Sequence, residues 1–249
     1  MNSAAPLAEK IAVVTGGSRG IGRAVSLQLA AAGASVAVNY AGNQAAADET
    51  VRAIEAGGGK AAAIRADVGN PAEIHRLFDD AIARFGRVDI LVNNAGLALY
   101  RLVQDTTEED FDRIFNVNVR GVFFALKEAS TRLADGGRVI NFSSTTTRVM
   151  LPTYGAYSAS KAAVEQLTRV FAKEMGARRI TVNCVLPGPV NTDLFHEGKT
   201  PEIVARLAAM SAFNRIGEPA DIARVVAFLA GDDAAWITGQ NIGVNGGFA

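Results

Sequence analysis

Two periodicities of apolar and polar residues alternate along the chain. Short runs rich in β-branched and other apolar residues recur, and between them lie longer stretches whose apolar residues repeat every three or four positions. The short runs predict strands at Ile11–Thr15, Ser35–Asn39, Ala61–Arg65, Ile90–Asn93, Arg138–Phe142, Ile180–Val185 and Asn241–Val244. The longer stretches predict helices at Ile21–Ala32, Gln44–Ala56, Pro71–Phe85, Thr107–Leu133, Tyr154–Gly176 and Pro219–Ala230.

Strands that alternate with helices predict βαβ units with right-handed crossovers. We therefore expect an α/β fold, with residues 1–249 forming one domain: a doubly wound parallel sheet of about seven strands, covered by helices on both faces. One stretch, Pro187–Gly217, interrupts the alternation after the sixth strand and has its own short helical pattern at Pro201–Met210. Because ligands bind at the carboxyl edge of such sheets, this insertion is expected to be a substrate loop.

Composition narrows the classes of protein and partner. Of the 249 residues, 49% are hydrophobic, which is enough for one large core, and the formal net charge is zero. No basic block is present, so nucleic acid is not an expected partner. The single cysteine, Cys184, excludes an intramolecular disulfide and is expected to be a buried thiol in the sixth strand.

Targeting and metal signals are missing from the sequence. The first ten residues, MNSAAPLAEK, lack the basic and apolar regions of a signal peptide, and no apolar run is long enough to span a membrane. His, Cys and Asp residues do not occur at metal-ligand spacing, so no metal is expected. These observations predict a soluble cytoplasmic protein without a membrane partner.

The stretch Thr15–Gly22, TGGSRGIG, joins the first predicted strand to the first predicted helix. Its glycines Gly16, Gly20 and Gly22 would allow a tight turn, close approach of the backbone to a phosphate, and close packing of helix on strand. The helix start behind them offers free N–H groups to a pyrophosphate. The spacing is Gly-x-x-x-Gly-x-Gly, not Gly-x-Gly-x-x-Gly, and a structural turn would also use glycine. Its place between strand and helix favours nucleotide binding.

A second cluster is TYGAYSASK at residues 153–161. Tyr157 and Lys161 are four residues apart, so on a helix their side chains share a face. Tyr154 has Ser158 at the same spacing and no cation. An exposed Tyr–Lys pair on a surface helix would show the same pattern, so this nonapeptide alone does not establish catalysis.

Taken in order, several motifs resemble those of the short-chain dehydrogenase/reductase family, over essentially the whole chain. They are the glycine turn, the run Asn93-Asn94-Ala95-Gly96 after the fourth strand, and Tyr157-x-x-x-Lys161. Ser144 lies thirteen residues before Tyr157, and Asn118 in NVNVRG completes the catalytic tetrad of the family. The resemblance implies an NADPH-dependent oxidoreductase that interconverts a ketone and a secondary alcohol, similar to carbonyl reductases and to 3-oxoacyl-carrier-protein reductases.

The resemblance also implies contacts to the cofactor. Asp67 would contact the adenine, and Pro187-Gly188 would form the turn beside the nicotinamide. The predicted cofactor residues are Gly16, Ser18, Arg19, Gly20, Ile21, Gly22, Asn39, Tyr40, Asp67, Val68, Asn94, Ala95, Gly96, Tyr157, Lys161, Pro187, Gly188, Val190 and Thr192.

Hydride transfer to a ketone needs a proton donor beside the carbonyl oxygen. An ammonium about 4 Å from a phenol favours the phenolate by about 4 kcal/mol at an effective dielectric near 20. We therefore expect Lys161 to lower the pKa of Tyr157, which would be the general acid in reduction and the base in oxidation. Ser144 would hold the substrate oxygen, although register decides between it and Ser143. By resemblance, Lys161 binds the nicotinamide ribose, and Asn118 holds a water that links Lys161 to solvent.

Cofactor choice is expected to favour NADP(H) over NAD(H). NAD-selective sites place a carboxylate after the second strand, whereas here the residues are Asn39-Tyr40-Ala41 and the first acid is Asp48. Arg19 in the glycine turn would pair with the 2′-phosphate. In the alternative, Arg19 points to solvent and Asn39 hydrogen-bonds a ribose of either cofactor.

The substrate and the assembly are less defined. A 3-oxoacyl thioester, a small ketone, a sugar or a steroid would suit an apolar-leaning pocket, whose candidate residues are Leu97, Leu99, Met150, Leu151, Phe195, Met210 and Phe213. A Rossmann-like methyltransferase and a non-catalytic nucleotide-sensing protein are alternatives, but neither needs the full tetrad. The helices at 107–133 and 154–176 carry apolar residues on more than one face, and with the resemblance they predict a homotetramer, with Trp236 near a second interface.

Overall fold

The structure of the protein, a computed structural model, describes residues 5–249. Seven strands form one sheet: β1 (Ile11–Val14), β2 (Ser35–Tyr40), β3 (Lys60–Arg65), β4 (Val88–Asn93), β5 (Leu133–Phe142), β6 (Thr181–Pro187) and β7 (Asn241–Val244). They lie in the order β3-β2-β1-β4-β5-β6-β7, and every pair of neighbours is parallel. The strand order reverses between β1 and β4, which is where such sheets open a crevice for a ligand.

Helices cover both faces of the sheet. They are α1 (Gly20–Ala31), α2 (Gln44–Ala56), α3 (Pro71–Phe85), α4 (Glu108–Phe115), α5 (Gly121–Arg132), α6 (Gly155–Glu174), α7 (Asp193–His196), α8 (Pro201–Ala209) and α9 (Pro219–Ala230). Alternate residues of a strand point to opposite faces, so Val14 packs in the core under α1 and α9, and Val13 packs under α3, α5 and α6. The predicted fold class is confirmed.

The helix predicted at Thr107–Leu133 is interrupted in the structure. A single π-helical turn, Asn116–Arg120, separates α4 from α5. Such a turn widens the helix by one residue and often marks a functional site. Here it contains Asn118, whose side chain is fully buried. The periodicity did not reveal this turn because one extra residue shifts the apolar stripe by less than a third of a turn.

Strand β5 begins at Leu133, five residues before its predicted start at Arg138. Its register with β4 shifts between Val88 and Ile90, and Gly136 has a positive φ of 73°. The predicted helix ended at Leu133 and the predicted strand began at Arg138, so residues 134–137 were assigned to neither. The structure instead carries this irregular segment along the edge of β4, where Leu133 is fully buried.

Cys184 lies in β6 and is fully buried in the core below α6. Burial raises the pKa of its thiol to about 12. The expected role as a buried strand residue is confirmed. Within residues 5–249, the helices are all too short or too polar to cross a membrane.

The insertion at 187–217 lies over the carboxyl edge of the sheet. It contains α7 and α8, and backbone N–H groups tie it to the C-terminal segment: Gly188 donates to the carbonyl of Val244 at 3.2 Å and Ala212 to that of Gly246 at 2.9 Å. Thr192 caps α7 and contacts Gly20, since a Cβ on Gly20 would lie 3.3 Å from its methyl carbon. The insertion therefore covers the glycine turn at the start of α1.

Candidate active site

A cleft of about 640 Å³ opens at the carboxyl edge of the sheet, above the reversal between β1 and β4. Every predicted cofactor and catalytic residue lines it, except Asn118, which is buried behind its wall. Several residues that line the cleft were not predicted from the sequence, among them Thr145, Thr146, Leu207 and Phe248. Thr145 and Thr146 directly follow Ser144 in the chain, whereas Leu207 and Phe248 reach the cleft only through the folding of segments distant in sequence.

The glycine turn has the geometry that a phosphate site needs. Gly16 and Gly20 have positive φ angles of 61° and 52°. A Cβ on Gly22 would lie 2.1 Å from the carbonyl oxygen of Gly16, so this position admits glycine only. The first turn of α1 contains no acidic residue, and Arg19 at its start makes no side-chain cap. The N–H groups of this turn are therefore free to bind an anion.

Two polar side chains hold the glycine turn against β4. Thr15 Oγ1 accepts hydrogen bonds from the backbone N–H groups of Asn94 and Ala95 at 3.0 and 3.1 Å. Asn94 Nδ2 donates in return to the carbonyls of Thr15 and Gly16 at 2.9 and 3.1 Å. Thr15 was not among the site residues predicted from the sequence. The only signal was a hydroxyl residue placed directly after a buried strand.

Asn39 lines the cleft, but its amide is directed into the protein. Its Oδ1 accepts from the N–H of Gly16 at 3.2 Å, and its Nδ2 donates to the carbonyls of Ile64 and Ala66 at 3.3 and 3.0 Å. The residue is 1% exposed. Asn39 therefore fixes the glycine turn relative to β2 and β3. Both protons of its Nδ2 are engaged in this arrangement, so neither is free for the predicted hydrogen bond to a ribose.

One end of the cleft is suited to a phosphate-bearing ribose. Arg19 is exposed at its rim, and it has no carboxylate within salt-bridge distance among residues 5–249, whereas Arg23 pairs with Glu49 at 3.4 Å. The lining residues 40–43 that follow β2 carry no acid. Asp67 lies at the same end, where its Oδ1 accepts from the N–H of Gly69 at 2.8 Å.

The two adjacent serines at the end of β5 face different partners. Ser143 Oγ donates to Glu165 Oε1 at 2.7 Å, whereas the Ser144 side chain is the hydrogen-bond partner of the Tyr157 phenol. Ser144 Oγ also accepts from the N–H and the hydroxyl of Thr146 at 3.2 and 3.0 Å. Register therefore places Ser144, not Ser143, beside the predicted acid.

The expected effect of Lys161 on Tyr157 is contradicted. Lys161 Nζ donates to the carbonyl of Phe142 at 2.9 Å and lies 5.9 Å from the centroid of the Tyr157 ring. Burial of the hydroxyl raises the pKa of Tyr157, and the hydrogen bond with Ser144 lowers it by less. Burial also lowers the pKa of Lys161 to about 8. Tyr157 is accordingly a neutral phenol at physiological pH.

Asn118 connects the tetrad to the turn after β4. Its Oδ1 accepts from the N–H of Leu97 at 2.8 Å, and its Nδ2 donates to the carbonyl of Leu97 at 2.9 Å and to Ser160 Oγ at 3.0 Å. Ser160 Oγ donates in turn to the carbonyl of Tyr157 at 2.7 Å. The side chain of Asn118 is thus occupied by protein groups, and the predicted water relay stays a prediction.

Aromatic side chains form the outer part of the cleft beside Tyr157. Tyr154 lies 6.2 Å from Tyr157 and 4.9 Å from Tyr100, measured between ring centroids. Phe195 of the insertion and Phe248 near the carboxyl terminus also line the cleft. Of the apolar candidates from the sequence, Leu97, Leu151 and Phe195 line it, but Leu99, Met150, Met210 and Phe213 do not. Met150 and Phe213 are 84% and 71% exposed, because their segments lie outside the cleft.

Comparison with known proteins agrees with this geometry. A family model described as enoyl-(acyl carrier protein) reductase matches residues 16–249. An NADPH-dependent aldehyde reductase-like protein, chloroplastic, from Arabidopsis thaliana is 45% identical over 257 residues, which cover 98% of this chain and 95% of that protein. A short-chain type dehydrogenase/reductase from Picea abies is 44% identical over 251 residues, which cover 97% of this chain and 93% of that protein.

A solved structure also matches the whole fold. The crystal structure of the angucycline C-6 ketoreductase LanV with bound NADP has a TM-score of 0.93 and 44% sequence identity, and the match covers 99% of this chain and 98% of that chain. The order of motifs, the seven-stranded parallel sheet and the cleft at its reversal point all agree with these similarities. The chain therefore belongs to the short-chain dehydrogenase/reductase family of oxidoreductases.

Proposed function

We propose that this protein is an NADPH-dependent reductase that converts a ketone into a secondary alcohol, with Tyr157 as the proton donor. The observation that carries the proposal is the placement of a neutral phenol next to Ser144 in a cleft that also contains a free phosphate-binding turn. Similar proteins support it, since they include an NADPH-dependent aldehyde reductase-like protein and a ketoreductase with bound NADP.

The cofactor would extend along the cleft from the glycine turn to the catalytic residues. The free N–H groups at the start of α1 would bind the pyrophosphate, Arg19 the 2′-phosphate, and Asp67 and Val68 would lie at the adenine. Gly188 would approach the nicotinamide side. It must be glycine, because a Cβ there would lie 2.9 Å from the side chain of Asn245. Bound NADPH would supply the hydride.

The residues of the chain would handle the substrate oxygen and its proton. Ser144 would donate a hydrogen bond to the carbonyl oxygen and fix it beside Tyr157. Because its pKa is raised, Tyr157 retains its proton at neutral pH and can give it to the developing alkoxide. Lys161 would bind the nicotinamide ribose after leaving the carbonyl of Phe142. The protonated phenol is the form of Tyr157 that reduction needs, whereas oxidation would need the phenolate.

The walls of the outer cleft support an apolar substrate that presents a ring. Aromatic surface comes from Tyr100, Tyr154, Phe195 and Phe248. Among residues 5–249, the charged side chains that line the cleft at the Tyr157 end are those of Lys161 and Asp193. Aromatic rings in stacked or edge-to-face geometry gain about 0.5–1.5 kcal/mol beyond the area they bury, a gain that a keto sugar would not make. A ring-bearing ketone fits this surface better.

The test is consumption of NADPH with a panel of substrates. The panel comprises a bicyclic aromatic ketone, a small aliphatic ketone, a 3-oxoacyl thioester, an enoyl thioester and a keto sugar. We expect the aromatic ketone to be reduced fastest. Tyr157→Phe should lower kcat by about 10²–10⁴, since only the proton donor is lost. Tyr154→Phe is the matched control and should keep activity within a few-fold. Cofactor binding without reduction of any panel member would support a nucleotide-sensing protein instead.

We also propose that the protein prefers NADPH to NADH, assembles as a homotetramer and acts in the cytoplasm. The preference is supported by Arg19, which has no carboxylate within salt-bridge distance among residues 5–249, and the assembly is supported by exposed apolar residues on α5 and α6. Fractionation of cells with an antibody against the protein would test its location.

A further inference from the structure

We propose that Glu165 is a positioning residue that holds Ser144 in register with Tyr157. The inference rests on the proposed function, because it assigns Glu165 a role in the same reduction. Glu165 is a half-buried carboxylate on α6 with no part in the mechanism described above. It lies four residues after Lys161 and eight after Tyr157, so all three side chains project from the same side of the helix.

The carboxylate of Glu165 receives three side-chain hydrogen bonds from three separate parts of the fold. Ser143 Oγ at the end of β5 and Thr147 Oγ1 in the following turn each donate to Oε1 at 2.7 Å. Asn241 Nδ2 of β7 donates to Oε2 at 3.1 Å. Hydroxyl donors to a carboxylate form short, strong hydrogen bonds. Glu165 therefore connects α6 to both β5 and β7.

The two hydroxyl donors lie on either side of Ser144 in the chain. Ser143 is the residue before it, and Thr147 closes the single 3₁₀ turn that follows it. The hydroxyl of Thr147 also lies 3.0 Å from the carbonyl of Ser144, but its one proton favours the charged and nearer oxygen of Glu165. Glu165 thus holds the segment of Ser144 at both ends from the helix that carries Tyr157.

This arrangement matters because Ser144 and Tyr157 belong to different elements. Ser144 follows β5, whereas Tyr157 is on α6. Both must contact one substrate oxygen, and a displacement of about 1 Å can cost about 10²-fold in rate. Glu165 joins the two elements next to the reacting groups, alongside the hydrogen bonds from Ser158 Oγ to the carbonyl of Thr146 at 3.2 Å and from Lys161 Nζ to that of Phe142 at 2.9 Å. Its loss would let the Ser144 segment shift without removing any group that contacts the substrate.

The surroundings of Asn241 predict that glutamine can replace Glu165. A glutamine oxygen would still accept from Ser143 and Thr147, while its Nε2 would face Asn241. Asn241 Oδ1 is buried and has no hydrogen-bond partner in the part of the chain that the structure describes. Rotation of the Asn241 amide would therefore give the glutamine Nε2 an acceptor. The role requires hydrogen-bond acceptance, and the charge is not essential.

The experiment measures kcat and KM for the best ketone of the panel in Glu165→Ala, Glu165→Gln and Glu174→Ala. Glu174 is an exposed carboxylate on the same helix and serves as the matched control. We expect Glu165→Ala to lower kcat at least about tenfold with the KM for NADPH within about twofold. Glu165→Gln should stay within about threefold of wild type, and Glu174→Ala should be unchanged.

A double-mutant cycle with Ser144→Ala tests whether Glu165 acts through Ser144. In the Ser144→Ala background, Glu165→Ala should lower the residual kcat by no more than about twofold. If Glu165→Ala does not fold, Thr147→Val replaces it in the same cycle, with an expected loss of about threefold in the wild-type background and none in Ser144→Ala.

If the wild-type protein reduces ketones and its activity depends on Ser144, three outcomes would overturn the role of Glu165 and leave the proposed function intact. They are an unchanged kcat in Glu165→Ala, the same fold loss in both backgrounds, and a Glu165→Gln variant as slow as Glu165→Ala. A wild-type protein that reduces no ketone would instead overturn the proposed function, and this inference with it. Full activity in Ser144→Ala would overturn the role of Ser144 and likewise the positioning role of Glu165.

Discussion

Gly96 lies directly against Lys161: a Cβ at Gly96 would come within 3.2 Å of Lys161 Nζ and equally 3.2 Å of Asn118 Oδ1. The absence of a side chain at Gly96 leaves room for the ammonium between the turn after β4 and α6. Asn118 is fixed by its hydrogen bonds to Leu97 and Ser160, so Lys161 is the neighbour that would have to move.

Gly96→Ala should therefore lower activity through Lys161. The added methyl would crowd the ammonium and hinder its proposed move from the carbonyl of Phe142 to the nicotinamide ribose, so we expect kcat/KM for the ketone to fall at least about tenfold. Steady-state kinetics with NADPH would measure this. Gly176→Ala is the control, because a Cβ there meets no atom within 4 Å. Equal kinetics for the two variants would show that the contact with Lys161 has no role.

Arg19 should determine the choice of cofactor. We expect kcat/KM for NADPH to exceed that for NADH by at least about tenfold, roughly 1.4 kcal/mol. Arg19→Ala should shrink this ratio, because the 2′-phosphate loses its charged partner. Arg23→Ala is the matched control, since Arg23 is engaged with Glu49 at 3.4 Å. A preference of the wild type for NADH would contradict the prediction.

The segment around α7 should act as a lid that closes over the cleft when cofactor and substrate bind. Lys199 Nζ lies 4.2 Å from the centroid of the Tyr100 ring and 5.0 Å from that of Phe195. Cation–π contacts of this kind contribute about 0.5–2 kcal/mol. Lys199→Ala should therefore speed cleavage after Glu197 by a glutamate-specific protease about fivefold, a change of about 1 kcal/mol.

Binding of NADPH with a ketone should slow the same cleavage in the wild-type protein. Lys173 is an exposed lysine on α6. Lys173→Ala is the control for Lys199→Ala, because it also removes one positive charge, and it should leave the rate of cleavage unchanged. Cleavage at the same rate with and without ligands would show that the segment is not a lid.

Lys161 should make stability depend on pH. Burial lowers its pKa from 10.5 to about 8 in the folded protein. Between these values the unfolded chain binds a proton that the folded chain does not, so the free energy of unfolding rises with pH. The slope for one proton is about 1.4 kcal/mol per pH unit. From pH 8 to 10, the wild type should gain about 2 kcal/mol relative to Lys161→Met. Urea unfolding at several pH values would measure the difference, and parallel curves for the two proteins would contradict it.

The exposed apolar residues of α5 and α6 should be covered by other copies of the chain. Phe123 and Val170 are 50% and 57% exposed on these helices, and Trp236 is 99% exposed. Light scattering should give about four times the chain mass of 26.0 kDa. Val170→Glu should lower that mass, because a buried unpaired carboxylate is costly. Arg52→Glu on α2 is the control. A wild-type mass equal to one chain would refute the assembly.

The sequence by itself determined those features that depend on local spacing. The two periodicities predicted the strands and helices, since a strand repeats every two residues and a helix every 3.6. The separation of four residues placed Tyr157 and Lys161 on one face of α6. Gly16, Gly20 and Gly22 marked the turn after β1, because their backbone conformations and close contacts exclude other residues.

Only the tertiary structure decided how the site groups are oriented and charged. The Asn39 amide points inward because the backbone groups of Gly16, Ile64 and Ala66 need partners there. The pKa of Tyr157 is raised, not lowered, because segments distant in sequence bury its hydroxyl and Lys161 turns to Phe142. Likewise, the hydrogen bond between Ser143 and Glu165 joins residues that are 22 positions apart. Burial and hydrogen-bond partners are properties of packed neighbours, and no local pattern in the chain specifies which distant segments those neighbours will be.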